Sequence, residues 1–358
     1  GLPFDTTATA LSGNTQQIKF GKVGGATLQF ETSYQRISAG YEVNDLGYLQ
    51  RADWQNQATW VGLSFFKPTR LYRSLQINFN EWNEWSASGL PLGRYVNSNL
   101  HTELPNKWSL RLAAMYSGVG GPTYSDRASR GGPAVRRSPA VSVQGEIAGD
   151  SRRAVSPSLS VFRTNVAEEQ SAYLDVSPSV TVRVASRWST SVGARVTRNR
   201  DDWQWYGNFT DARGVTHYTF AHLWQRTVGL QLRVDYTASP TLTLQAYAEP
   251  FVTRGTYSNI RELSANPRAT EYANRFQPYG DTAVSNHPGG FNFKQFRSNV
   301  VMRWEYAPGS TVYLVWTQGR QDSGPDSGAA AFGSDIRDLF RTRPDNTFLV
   351  KVTHWFDW

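Results

Sequence analysis

The 358-residue sequence predicts an all-β fold. We expect an antiparallel transmembrane β-barrel with about 14–16 strands in this chain, forming part of a larger barrel. Three observations lead to this prediction. Apolar and polar residues alternate with a period of two, the connections divide into short and long ones, and aromatic residues make up 13% of a chain that is only 39% hydrophobic. No run approaches the roughly 18 apolar residues of a membrane-spanning helix, so a helical membrane protein is excluded.

The clearest alternation lies between Val228 and Tyr236, where every second residue is apolar and Gln231, Arg233 and Asp235 lie in between. In an extended strand these two sets of side chains point to opposite faces. A soluble sheet would show the same pattern, so alternation alone does not separate the two classes. No helix of ordinary length is expected. Similar segments occur at residues 28–34, 75–79, 108–116, 141–147, 174–184, 242–248, 300–306 and, less regularly, 312–316.

The connections between these segments separate the two classes, because short and long ones largely alternate along the chain. Outer-membrane barrels have short periplasmic turns and long external loops, whereas a soluble sandwich has no reason to sort them. The predicted short connections are residues 67–72, 104–107, 148–153, 185–187, 237–240 and 307–310. The predicted long ones are residues 40–53, 118–137, 200–216, 255–294 and 321–345, and we expect 255–294 to form an ordered cap over the mouth.

Aromatic residues lie at the ends of the apolar faces, as the girdles of a membrane barrel require. Trp108 and Tyr116 bracket one predicted strand, and Trp188, Trp304 and Tyr306 lie beside short turns. The other interpretation is that these rings fill a β core, but their position at strand ends favours the girdles.

The last residues alternate and end on aromatic side chains. Phe356 and Trp358 share one face of the final strand, an ending that resembles the signal by which outer-membrane barrels are recognised for assembly. We therefore predict that both residues form a barrel-assembly signal. The expected partners are the barrel-assembly machinery and outer-membrane lipid.

The domain prediction divides the chain into an N-terminal segment or leading strand, residues 1–24, and an outer-membrane barrel, residues 25–358. Counted back from the end, about fourteen segments reach residue 27, and the alternating residues 15–22 make an odd fifteenth. An odd number implies that strands are missing upstream, because such barrels are generally even-stranded. The alternative is a complete barrel of about fourteen strands preceded by a tail.

Residues 40–53, GYEVNDLGYLQRAD, are similar to a segment of a bacterial outer-membrane family of unknown function. Residues 207–210, 216–222, 291–300 and 338–351 strengthen the resemblance, which runs from about residue 14 to the end. Full-length members of that family carry an N-terminal domain similar to family-9 carbohydrate-binding modules, followed by a long barrel. The resemblance implies that this chain is the C-terminal barrel part, joined to upstream strands of the same barrel, and it brings no catalytic residues.

Candidate catalytic and metal-binding residues are few. Cysteine is absent, which excludes thiol chemistry, and the five histidines lack the spacing of a metal site. The net charge of +8 is scattered rather than clustered, so no nucleic-acid partner is expected. We predict no enzyme, cofactor or metal. A hydrolase at the rim is a distant alternative, built on Asp201, Asp202, His217 and His222, and the spacing of Asp322, Asp326 and Asp335 argues against a calcium loop.

The predicted lumen face collects charged residues of both signs. They either pair across strands and keep the interior wet, or form a polar pathway or a surface on which a plug docks. A single-sign ring, typical of a strongly selective ion pore, is not evident. The predicted lumen-facing residues are Glu31, His101, Glu103, Arg111, Glu146, Asp175, Arg183, Arg195, Arg233, Asp235, Glu249, Arg303, Glu305 and Lys351.

The functional expectation is a pore or transport scaffold for saccharides or other small solutes in the outer membrane of a Gram-negative-type bacterium. The link to saccharides rests only on the additional domain of similar proteins. The alternative is a non-conducting barrel that anchors an assembly on the cell surface or in the periplasm and binds a partner there.

Overall fold

The computed structural model describes residue 7 and residues 9–25, 27–325 and 332–356. Strands account for 64% of the chain and helices for 5%, so the predicted all-β class is confirmed. The strands are β1 Thr15–Lys22, β2 Leu28–Ile37, β3 Trp54–Phe65, β4 Ser74–Trp85, β5 Pro91–Glu103, β6 Ser109–Ser117, β7 Thr123–Ser125, β8 Val135–Arg137, β9 Ala140–Ala148, β10 Val155–Val166, β11 Ala172–Val184, β12 Trp188–Thr210, β13 Thr216–Ser239, β14 Leu242–Leu263, β15 Phe276–Pro278, β16 Gly290–Ala307, β17 Ser310–Gly324 and β18 Asp345–Thr353.

In the part of the chain that the structure describes, three helical segments interrupt the long connections: a 3₁₀ turn at Tyr272–Arg275, α1 at Thr282–Ser285 and α2 at Phe332–Arg341. The expectation that no helix of ordinary length forms is wrong for α2, which has ten residues. Its apolar residues follow a helical period, and Leu339 is fully buried. No helix in the described ranges is long and apolar enough to cross a membrane.

The strands form one antiparallel meander in which each long strand pairs with its neighbours along the chain. The described residues give the sheet 16 strands, with β15 attached beside β14, while β7 and β8 form a separate hairpin. Within the described residues, β1 pairs only with β2 and β18 only with β17. Every residue of both strands is exposed, so the sheet has two free edges.

The connections lie at two ends of the sheet, named here the turn end and the loop end. Hairpins such as β13–β14 and β16–β17 close within a few residues at the turn end. At the loop end, the predicted long connection 200–216 is wrong, because β12 and β13 stay paired as far as Thr210 and Thr216. Residues 255–263 likewise continue β14. Backbone pairing needs no apolar alternation, so the strands extend beyond the segments that the pattern identifies.

The two faces of the sheet differ sharply in chemistry. One face, named here the apolar face, carries most of the alternating aliphatic residues, and many are open to the surroundings, including Leu232 at 42% and Val350 at 66% exposure. Residue registers place five valines side by side across neighbouring strands of this face: Val161, Val176, Val196, Val228 and Val252. Near the loop end α2 lies on it, with Phe340 against Phe296.

The described residues form no second layer over the sheet as a whole. The hydrophobic core is small and lies at the loop end, where Val135, Phe220, Leu263 and Phe276 are buried together. A soluble sheet gains its stability by packing its apolar face on another layer. Here the buried core belongs to the loops, and the apolar face of the strands is mostly left open.

The strands are staggered by a constant amount in the second half of the sheet. One row of paired residues can be followed across three hairpins, β11–β12, β13–β14 and β16–β17. Counted along the chain, the row lies about three residues from the middle of the first short turn, about five from the second and about seven from the third. An offset of about one residue per strand corresponds to a tilt of about 35° relative to the line of turns, because residues rise ~3.4 Å and strands lie ~4.8 Å apart. The row consists of Arg183, Ser189, Asp235, Gln245, Val301 and Val315.

Candidate functional site

The face opposite the valines, named here the polar face, is the candidate site. The residue registers put all fourteen predicted charged residues on it. Arg111, for example, lies directly opposite Glu146, and Lys351 lies opposite Tyr313.

Most of these charges are neutralised close by. Ten of the fourteen are in ion pairs, either across strands or with a residue two positions along the same strand. The pairs are Lys19–Glu31 at 3.2 Å, Arg73–Glu103 at 2.7 Å, Arg111–Glu146 at 3.3 Å, Arg195–Asp175, Arg233–Asp235 at 3.2 Å and Arg303–Glu305 at 2.9 Å. Exposed pairs of this kind contribute little to stability, about 0–1 kcal/mol each, so their main effect is to leave the face polar without a strong net sign.

The other four residues bind neutral groups or lie beside them. Arg183 donates to the carbonyl oxygen of Ser151 at 2.6 Å, and His101 shares a hydrogen bond with Asn99 at 3.0 Å. Glu249 accepts from the Tyr247 hydroxyl at 2.5 Å. The fourth is Lys351, on the edge strand β18.

A depression of about 630 Å³ lies on the polar face around Asp175 and Arg195. Asp175 accepts hydrogen bonds from Ser177 at 2.7 Å, from Thr197 at 3.1 Å and from Arg195, which hold it in place. The floor of the depression includes Gly193 and Gly229, where only backbone forms the surface. The sequence signal for it is a glycine at a polar-face position in each of two strands.

The part of the polar face formed by β3, β4 and β5 is richer in amides and aromatic rings than in charges. Asn78 donates to Asn99 at 2.8 Å, and the Trp60 indole donates to Asn78 at 2.8 Å. The rings of Trp82 and Tyr95 stack with centroids 5.1 Å apart. Amides supply paired donors and acceptors, and ring faces supply apolar contact, so this area suits neutral polyhydroxylated solutes. Sequence reasoning missed it, although asparagines two apart in two strands were a usable signal.

A buried titratable cluster lies at the loop end. The backbone oxygen of Asp202 accepts hydrogen bonds from the Tyr272 hydroxyl, at 2.9 Å, and from Arg261. Burial raises the pKa of Glu169 to about 7, and it also raises the pKa of Tyr272. The carboxyl of Asp202 is 3.7 Å from the ring of His222, whose pKa is lowered mainly by burial.

The four residues of the rim-hydrolase alternative do not meet at one place. Asp202 approaches His222, whereas His217 binds Glu262 and lies 3.8 Å from Asp211. The Asp201 carboxylate accepts from the backbone nitrogen of Trp203 at 2.8 Å. Within the described part of the chain, no group of three or more potential ligands is arranged to hold a metal ion.

The residues considered for a calcium loop have other partners. Asp322 binds Lys294 at 2.9 Å, and Asp335 binds Arg254. Asp326 lies outside the described residues. Of the predicted assembly signal, Phe356 is 66% exposed and its ring contacts His354, while Trp358 lies outside the described residues.

A family model described as "Domain of unknown function (DUF5916)" matches residues 4–358. The chain belongs to this family. The predicted membership of a family of unknown function is thereby confirmed, and the match covers nearly the whole chain. Neither the curated proteins nor the solved structures contain a match. The outer-membrane and carbohydrate-binding context of the family stays a prediction.

Proposed function

We propose that this DUF5916 chain forms the wall of an outer-membrane β-barrel, which acts as a pore or transport scaffold for small polar solutes. The main support is the open apolar face of the sheet. Leu112, Val143 and Leu232 are each more than 40% exposed in the middle of the sheet, without a covering layer among the described residues. Lipid chains would bury such a face, and the charged face would then line a wet interior.

The dimensions of the apolar face support a membrane position. On β13 the stretch from Arg226 to Tyr236 measures ~34 Å along the strand, and a tilt of about 35° reduces this to ~28 Å across the membrane. The apolar band of outer-membrane barrels is ~25 Å tall and their strands tilt by about 35–45°. At the turn end, Trp188 packs against Tyr236 and Trp304 against Tyr306, in the position of an aromatic girdle.

The free edges of β1 and β18 must be paired in a membrane, because unpaired backbone groups are costly in lipid. We propose that further strands add to these edges and that the barrel-assembly machinery closes the barrel. Fifteen strands at this tilt already account for a circumference of ~88 Å, or a diameter of ~28 Å, which is wide enough for an aqueous channel. Small solutes would pass along the polar face, and the Trp82 and Asn78 area favours saccharides among them.

A non-conducting barrel that anchors a surface or periplasmic assembly is the second candidate, and the loop end favours it. Arg275 is 1% exposed and joins separate loops by donating to Ser138 at 2.9 Å and to Glu168 at 2.7 Å. Arg51 pairs with Asp126 and so joins the connection before β3 to the one between β6 and β9. Loops joined in this way would form a rigid cover over the mouth of the barrel. That cover would either close the mouth or present a fixed surface to a partner.

Single-channel recording in planar bilayers tests the first proposal against the second. We expect full-length protein to give stepwise currents that the neutral oligosaccharide maltohexaose blocks, and Trp82→Ala to weaken the block. Phe79→Ala is the matched control, because Phe79 lies on the same strand but on the apolar face, 49% exposed. Protein that inserts without conducting would refute the pore and support the anchor. Protein that does not insert in any bilayer would refute both.

A further inference from the structure

A cluster of arginines lies on the apolar face, directly beyond the row of valines toward the loop end. The residue registers align Arg163, Leu174, Arg198, Arg226 and Arg254 across five neighbouring strands. Each stands two positions along its strand from a residue of the valine row. The face therefore changes from aliphatic to cationic within ~7 Å.

The arginines line a single cleft of about 610 Å³, named here the arginine cleft. Arg200 and Trp224, which pair with each other in the next row, complete its wall, and the guanidinium of Arg200 lies 5.0 Å from the centre of the Trp224 ring. The indole is 56% exposed, so this aromatic surface is open beside the cations.

Several of these cations have no counter-charge among the described residues. Arg163, Arg198 and Arg226 are all exposed. Arg163 contacts the amide oxygen of Asn165 at 3.1 Å, and no described carboxylate forms an ion pair with any of the three. Arg254, in contrast, is held by the buried Asp335. Arg200 lies 3.7 Å from the Asp202 carboxylate. Arg163, Arg198 and Arg226 thus form a positive surface that no described carboxylate neutralises.

This position fits one kind of ligand. Guanidinium groups bind phosphate by forked hydrogen bonds, and they are unfavourable within hydrocarbon but favourable at the level of lipid headgroups. At the loop end of an outer-membrane barrel, the neighbouring leaflet is the external one. We infer, resting on the proposed function, that the arginine cleft binds the phosphate groups of an anionic phosphoglycolipid of that leaflet, with its acyl chains along the valine row and Trp224 at the headgroup level.

The test compares the triple variant Arg163→Ser, Arg198→Ser, Arg226→Ser with a control of equal charge change, Arg70→Ser, Arg153→Ser, Arg187→Ser. The control residues are exposed and lie at the turn end. Full-length protein in detergent is titrated with bisphosphorylated lipid A and with the same glycolipid after removal of both phosphates, and bound lipid is measured by native mass spectrometry. At roughly a factor of five per arginine near a lipid surface, the triple variant should lose about 100-fold in affinity for lipid A.

The inference requires that the control and a triple Arg→Lys variant bind lipid A nearly as well as the unchanged protein, and that the dephosphorylated glycolipid binds weakly to all. Equal binding of both glycolipids, or equal affinity of the serine variant and the unchanged protein, would overturn it. A 1 mM inorganic phosphate arm that displaces the lipid completely would also overturn it, because free phosphate would then be the ligand. Bilayer insertion of the same samples distinguishes failure of the lipid proposal from failure of the barrel proposal. Protein that inserts but does not prefer lipid A refutes only lipid binding by the arginine cleft. Protein that does not insert refutes the barrel as well.

Discussion

A buried carboxylate helps to hold helix α2 on the sheet, and removing its charge should weaken the docking of the helix. The Asp335 side chain is 2% exposed and binds Arg254, which is 17% exposed. It also accepts from the Asn292 amide at 3.0 Å and lies 3.8 Å from the Lys294 amine. Asp335→Asn keeps the shape of the side chain but removes the buried carboxylate charge that Arg254 binds.

The expected cost follows from this burial. Removing one partner of a buried ion pair typically costs about 3–5 kcal/mol, because the remaining charge stays out of water. Leu339, fully buried, and the ring contact of Phe340 with Phe296 at 4.9 Å still favour docking, so we place the cost at the low end, about 3 kcal/mol. If docking is the event that protects the helix amides, their exchange should accelerate by about 150-fold.

Hydrogen–deuterium exchange of residues 332–341 in detergent-solubilised protein measures this effect. Asp338→Asn is the control, because Asp338 lies on the same helix but is 49% exposed and only 3.5 Å from the exposed Arg341. Its exchange should change by less than about threefold, as expected for a surface pair. If Asp335→Asn exchanged like the unchanged protein, the buried pair would not be what holds the helix.

Three further predictions concern the pH response, the pore and assembly. The pKa of Glu169 is raised to about 7 by burial, so the folded state holds this proton more tightly. The resulting stabilisation is fully present below the ordinary pKa of glutamate and is lost as the pH rises through 7. Glu169→Gln removes this titration, so thermal stability should fall less between pH 5 and 8 in the variant than in the unchanged protein. Phenylalanine at both Gly193 and Gly229 fills the polar-face depression and should lower single-channel conductance, with unchanged heat-modifiable gel migration; equal conductance contradicts the pathway. Alanine at both Phe356 and Trp358 should slow assembly into the outer membrane, measured by protease protection over time, and unchanged kinetics would refute the assembly signal.

Much of the sheet could be predicted from local chemistry. The alternation from Val228 to Tyr236 assigns each side chain to a face, because successive residues of a strand point in opposite directions. Charged residues as far apart as Glu31 and Lys351 can therefore be assigned to one face without knowing which strands are neighbours. Helix α2 could not be predicted from its pattern, because it follows a stretch rich in glycine and alanine and its ten residues show fewer than three turns of helical period.

The sequence by itself determined the all-β class, the apolar and the polar side of each strand, and the short turns. Each of these depends on side chains that are near one another in the chain. Only the tertiary structure decided that Arg163, Arg198 and Arg226 meet in one cleft and that Asp335 binds Arg254. The physical reason is that strand register is set by backbone pairing over the whole ladder, and residues far apart in sequence become neighbours only when that register is known.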